Sequence, residues 1–249
     1  MNNEIKHWIS TCESCRKFDV SHSKETLMSH DVPERPREKV GVDLFEVHQK
    51  NYLITVDNYS NFRELDKLDE TTSTATIRKL KADFARYGTP TKLSDNGSHF
   101  VSAQFHKVTR HWDIEHLTIS PHNSKINGKA ESAVKSAKRL LRKISKGGKD
   151  QYLALLSVRN TPTQGVDSSH AQRLMNRRTR AILPMTTRML EPRTSRREPE
   201  REKLSDQKQR QAHYYNQGTK DLQPLEEGDT VKMKPFVLGK NWKKAVVTD

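Results

Sequence analysis

Val40-Gly41-Val42-Asp43-Leu44-Phe45 is an apolar run of strand type with a single carboxylate at its centre. A strand interior is a costly place for a charge, so Asp43 calls for a partner. Two later segments offer further acids. Leu93-Ser94-Asp95-Asn96-Gly97 reads as a short strand running into a turn, and Asn127-Gly128-Lys129-Ala130-Glu131 leads from a polar loop into a helix. A strand-centre, a strand-end and a helix-borne carboxylate can converge on one point. Clustered like charges are unstable unless a cation joins them, and magnesium is the cation such hard donors suit.

Outward from Asp43, the pattern predicts strands over 40–47, 52–57 and 62–68, joined through His48-Gln49-Lys50-Asn51 and Asn58-Tyr59-Ser60-Asn61 as an antiparallel meander. A helix is predicted over 73–87, with Ile77, Leu80 and Phe84 on one face, Gly88 as the stop and Pro90 beyond it. Strand 91–95 follows, then a helix over 102–113 with Ser102 as N-cap and Phe105, Val108 and Trp112 inward, then a strand over 114–119. Gly97 is expected to supply a positive φ in the turn that presents Asp95. On the helix that Glu131 opens, Glu131, Lys135, Lys138 and Arg142 share a stripe about 60° wide, while Ala133, Val134, Ala137, Leu140, Leu141 and Ile144 fill a separate arc.

The charge is unevenly placed. Residues 1–124 carry 17 Lys and Arg against 18 Asp and Glu, whereas residues 125–249 carry 28 against 13. Almost all of the net +14 therefore starts near Glu131, and the partner it predicts is a polyanion such as DNA, bound through phosphate contacts. At 249 residues, with 32 % hydrophobic and 31 % charged side chains, the chain has room for one core domain plus polar appendages. No run approaches a membrane span and no signal-peptide core stands at the start, so an intracellular, soluble protein is expected. No Ser-His or Cys-His constellation for covalent catalysis is evident.

These motifs resemble the catalytic core of integrases from retroviruses and gypsy-type LTR retrotransposons. The resemblance is carried by Val42-Asp43-Leu44-Phe45, by Tyr52-Leu53-Ile54-Thr55-Val56-Asp57-Asn58-Tyr59-Ser60, by Asp95-Asn96-Gly97 with Phe100, and by Ser120-Pro121-His122 leading to Asn127-Gly128-Lys129-Ala130-Glu131. It implies an α/β fold with a ribonuclease H-like core, a mixed five-stranded sheet with flanking helices. It also implies a magnesium- or manganese-dependent polynucleotidyl transferase that trims a 3′ DNA end and joins it to target DNA, working in the nucleus after synthesis in the cytoplasm. In that pattern Asp43 would bridge two ions, with Asp95 and Glu131 each holding one. Lys135 and Lys138 would meet substrate phosphates; Arg142, His122, Asn127 and Lys129 are further candidates for DNA contact. His99, His106, His111 and His116 read as surface or packing histidines, and Asp57 as structural.

Cys12 and Cys15 are the only cysteines. Their spacing suits half a zinc site. The resemblance implies two upstream histidines, and His7, His22 and His30 do not match that spacing, so no stable zinc site is expected. The organisation implied is a zinc-module remnant over 1–17, a linker over 18–38, the catalytic core over 39–190, a charged helix or linker over 191–221, and over 222–249 part of a small SH3-like β-barrel. Where the pattern has Ser-Pro-Ala-Gln, this chain reads Ser169-His170-Ala171-Gln172, a change expected to cost little. A full-length form would be a homo-oligomer, and the chain alone is expected to perform at most simple nicking or reversal of joining. The competing functions are a catalytically silent DNA-binding or interaction module of transposon origin and, more distantly, a ribonuclease H-type nuclease.

Overall fold

A computed structural model describes residues 2–5, 8, 12, 26–27, 32–95, 97–118, 128–192, 197–219, 226–233 and 243–248. Three antiparallel strands come first: β1 (Lys39–Val47), β2 (Lys50–Asp57) and β3 (Arg63–Leu68). The β1–β2 turn is shorter than expected. Only His48 and Gln49 lie in it, both at positive φ (50° and 57°), the pairing a two-residue I′ hairpin requires, so Lys50 and Asn51 already belong to β2.

Helix α1 (Ser73–Tyr87) starts on the Thr72 side chain and stops at Gly88, whose φ of 90° lets its N–H reach Phe84 O at 2.8 Å. Strand β4 (Lys92–Asp95), a 3-10 turn (Ser98–Val101), α2 (Ala103–His111) and β5 (Glu115–Thr118) follow, with Ser102 capping α2 through Phe105 N. Strands β4 and β5 add in parallel to β1, giving the sheet order β3-β2-β1-β4-β5. This mixed five-stranded sheet with flanking helices is the architecture that the ribonuclease H-like expectation calls for.

Alternation along β1 divides the core between the two sheet faces. Val40 and Val42 pack with Leu53, Ile77, Leu80, Phe84, Leu93, Phe100 and Phe105, while Phe45 and Val47 meet Ala130, Ala133, Ala137 and Leu141 of α3 (Gly128–Gly147). The alanines let α3 lie close against the sheet, and the buried set agrees with the apolar arc read from the sequence. Beyond α3 come α4 (Gln151–Asn160), α5 (His170–Met175), α6 (Thr187–Leu190) and α7 (Arg197–Asn216). Among the described residues, no helix is long and apolar enough to cross a membrane.

The segment expected as a linker reaches the core at its end. Val32 packs with Tyr59, Val166 and Leu204, and the buried guanidinium of Arg37 bonds Asp83 Oδ2 at 2.8 Å and Gly88 O at 3.1 Å. Compactness divides the chain into residues 28–210 and a second unit of 1–27 with 211–249. In the second unit, β6 (Thr230–Met233) and β7 (Lys243–Val246) form an antiparallel pair, and Leu27 N donates to Asn216 Oδ1 at 2.8 Å. Cys12 is half-buried, with its N–H on Trp8 O at 3.0 Å. Cys15, His7, His22 and His30 lie outside the described residues, as does much of the segment expected to begin a barrel.

Candidate metal centre and nucleic-acid interface

Asp43 stands between Gly41 and Phe45 on the sheet face that α3 covers. Its carboxylate accepts the Leu44 N–H at 2.8 Å. Burial pushes the Asp43 carboxyl above the usual carboxylate range; the Leu44 N–H and Lys138 oppose that rise, and the charges of Glu131 and Asp95 add to it. Glu131 is half-buried in the first turn of α3, where a helix N-terminus favours a carboxylate. Fold and charge thus bring Asp43 and Glu131 together.

Asp95 is placed differently. β1 and β4 pair in parallel through Val40 with Leu93 and Gly41 with Ser94, which sets Asp95 at the strand end beside Asp43's strand. Alternation turns its side chain to Leu93's side of the sheet, away from α3. There Asp95, 2 % exposed, is hydrogen-bonded through Oδ2 to His116 Nε2; its Oδ1 receives the Gly97 N–H at 3.4 Å. His116 was expected to be an ordinary packing histidine, and this is a correction. β5 pairs Leu93 with His116, so a residue two places on in β4 is its diagonal neighbour, within reach of an imidazole. Strand alternation plus the β4–β5 register carried that signal.

Gly97 also departs from expectation. Its φ is −131°, and the demand for glycine comes from the Phe100 ring, which a Cβ would meet at 3.2 Å. Asn96, His122, Asn127 and the rest of 119–127 lie outside the described residues.

Lys135 and Arg142 are exposed on the α3 stripe that begins with Glu131, while Lys138 is half-buried with Nζ 5.8 Å above the Phe45 ring. Lys129 does not stand free for a phosphate. Its ammonium bonds Asn61 Oδ1 in the β2–β3 turn, and burial with the nearby Lys208 and Arg173 pushes its pKa down to about 8. Asp57 is structural, as expected: it accepts from Arg37 N at 2.9 Å, Ser60 N at 2.8 Å and the Ser60 hydroxyl.

Asp43 and Glu131 suit a divalent cation in donor type, whereas Asp95 is closed on His116 and Gly97 on the other side of the sheet. Among the described residues, however, no three His, Cys, Asp or Glu side chains gather closely enough to hold a metal.

The mixed sheet carries acids on its first and fourth strands and on the helix across it. Residues 33–124 match the family described as Integrase core domain, and the chain carries a core of the retroviral and retrotransposon type. An uncharacterised protein of Caenorhabditis elegans is 27 % identical over 226 residues, 86 % of this chain and 17 % of that protein. The retrovirus-related Pol polyprotein from transposon opus of Drosophila melanogaster is 26 % identical over 135 residues, 53 % of this chain and 13 % of that one. The chain thus spans under a fifth of the length of these curated relatives. In fold it resembles a chain of the simian T-cell lymphotropic virus intasome, solved in complex with PP2A regulatory subunit B56 gamma, at a TM-score of 0.59 and 17 % identity, over 97 % of this chain and 80 % of that one.

Proposed function

We propose that this chain is the catalytic part of a DNA integrase, a polynucleotidyl transferase that trims a 3′ DNA end and joins it to target DNA. The observation that carries the proposal is the place of Asp43 on the central strand of the matched core, on the sheet face that α3 covers, where burial, Glu131 and Asp95 raise its carboxyl against the Leu44 N–H and Lys138. Asp43, Asp95 and Glu131 would hold magnesium or manganese. A divalent cation held there would supply charge neutralisation for the attacking and leaving oxygens of a displacement at phosphorus. The rest falls to the chain's own residues. Lys135, Lys138 and Arg142 align phosphates on the α3 face, and the sheet keeps Asp43 and Glu131 in fixed relation. DNA ends and target DNA are the partners, with nuclear action and self-association following from that role.

A second reading is a DNA-binding module without activity, favoured by the closure of Asp95 on His116. One experiment separates the two. A labelled duplex and a pre-joined branched DNA are incubated with wild type, Asp43→Asn and Glu131→Gln in manganese, alongside affinity measurements over a salt series. Integrase function requires nicking or disjoining that both variants lose, with DNA affinity retained and falling steeply with salt. Salt-sensitive binding with no cleavage by wild type would establish the silent module instead.

A further inference from the structure

Arg63, the first residue of β3, faces the same side of the sheet as Ile54 and Leu65, and there β2, β3, α3 and α4 enclose a cavity of about 290 Å³. The Arg63 Nε lies buried on its wall with no hydrogen-bond partner. Burial pushes the pKa of this guanidinium down, and its charge helps to push down Lys129 and His170 in turn. Among the described residues no acid pairs with it, because the adjacent Glu64 is taken by Arg159 at 2.9 Å and by the Tyr87 hydroxyl. Arg37 and Arg173, by contrast, are met by Asp83 and by the carbonyls of Ser60 and Ser168. The cavity floor is apolar, formed by Ile54, Leu65, Leu155 and Val158, and its rim carries the exposed Arg139 and Lys143 of α3. No acid lines it among the described residues.

We propose that this cavity binds a small amphipathic anion, an aromatic carboxylate or sulfonate whose charged end meets Arg63 and whose rings lie on Ile54, Leu65, Leu155 and Val158. A guanidinium shut away without an acceptor costs stability, and an anionic oxygen at Nε recovers it through a charge-assisted hydrogen bond. The planar fork of donors suits a carboxylate or sulfonate. An anion with no apolar part would leave the floor wet, and the volume, at the lower edge of small-molecule sites, limits the ligand to one or two rings. Arg139 and Lys143 add an attractive field at the mouth. Around the α3 axis they are turned about 80° and 120° from Glu131, so the cavity lies beside the stripe of Lys135, Lys138 and Arg142 and does not depend on how the carboxylates act.

The test is fluorescence titration of the full chain with anilinonaphthalene sulfonate and with neutral N-phenylnaphthylamine, which has the same rings without the sulfonate. Wild type is expected to bind one sulfonate saturably, and Arg63→Met to weaken it about 10–100-fold, the range that loss of a charged hydrogen bond spans, while the neutral probe binds both proteins equally. Arg63→Lys should recover part of the loss, and Val158→Phe, which fills the cavity, should weaken both probes. No saturable binding by wild type, or equal sulfonate affinity in wild type and Arg63→Met, overturns the proposal. Unliganded Arg63→Met should also melt no lower than wild type, because removing a guanidinium without a partner strands nothing; a clear fall would reveal a structural role instead and overturn the proposal. Arg63→Met is expected to bind a short DNA duplex as wild type does. A loss of DNA affinity as large as that of Lys135→Ala would make Arg63 a nucleic-acid phosphate contact and overturn the small-anion assignment.

Discussion

Two buried polar regions of this chain are built on opposite principles. Around the β2–β3 turn, charge is met by neutral dipoles. Arg173, 2 % exposed, donates to Ser60 O at 3.1 and 2.9 Å, Ser168 O at 2.6 Å, Ser168 Oγ at 3.1 Å and Thr163 Oγ1 at 2.8 Å. Asp57, one strand end away, is likewise saturated by N–H and O–H donors. At the carboxylate edge the balance is reversed: Asp43 has the Leu44 N–H, and its acidic neighbours raise its carboxyl further. Saturated polar groups stabilise a fold, whereas acids placed in mutual repulsion detract from its stability. Lys129 joins the regions, since its ammonium ties the first turn of α3 to Asn61, two residues before Glu131.

The comparison breaks most easily at Arg173. Arg173→Met removes the guanidinium and strands the carbonyls of Ser60 and Ser168 in the interior, so a loss of about 3–5 kcal/mol is expected from urea unfolding. A loss below about 1 kcal/mol would mean that this region is no more a stability centre than an ordinary surface contact.

Much of this was open to the sequence, and the exceptions have physical causes. Periodicity and caps located β1 to β5 and the two α-helices among them, because Gly88 and Ser102 act through local hydrogen bonds. Asp43 and Glu131 were legible for a related reason, since a charge in an apolar strand and a charge opening an amphipathic helix are local anomalies. His116 was not legible. Its role depends on the register between β4 and β5, strands separated by a helix in the chain, and no local pattern fixes that register. Arg173 was missed for the same reason, as its main acceptor, Ser60, is remote in sequence and belongs to a turn. Arg37 sat in a stretch whose prolines and charges read as linker, and only the buried Asp83 on α1 reveals it as core.

His170 sharpens the contrast by pH. Desolvation, followed by the charges of Arg173, Arg63 and Lys129, pushes its pKa from 6.5 down to about 3. The unfolded chain takes up a proton near 6.5 that the folded chain refuses, so stability is complete above that pH and is lost progressively as pH falls towards 3. Between pH 6.5 and 5.5 the fall approaches about 1.4 kcal/mol per unit. His170→Leu keeps the backbone N–H and much of the buried volume while removing the titratable ring, so it is expected to show a flatter stability profile over this window. An unchanged slope would place the acid sensitivity elsewhere.

The smallest effect has the opposite sign. Asp43→Asn keeps the shape and an oxygen for the Leu44 N–H while deleting a charge that burial, Glu131 and Asp95 all disfavour. The attraction to Lys138 is lost with it, but the raised carboxyl says that the disfavouring effects prevail. Without divalent cations at pH 7, the variant should therefore be more stable than wild type, by under about 1 kcal/mol after allowing for solvent screening at a half-buried site. Millimolar manganese should reverse the order, stabilising wild type by mass action and leaving the variant almost unchanged. Melting temperatures of both proteins with and without manganese provide the measurement. If Asp43→Asn were less stable than wild type in the absence of metal, Asp43 would belong with Asp57 among the acids that hold the fold together, and the distinction between the two regions would fail at its central residue.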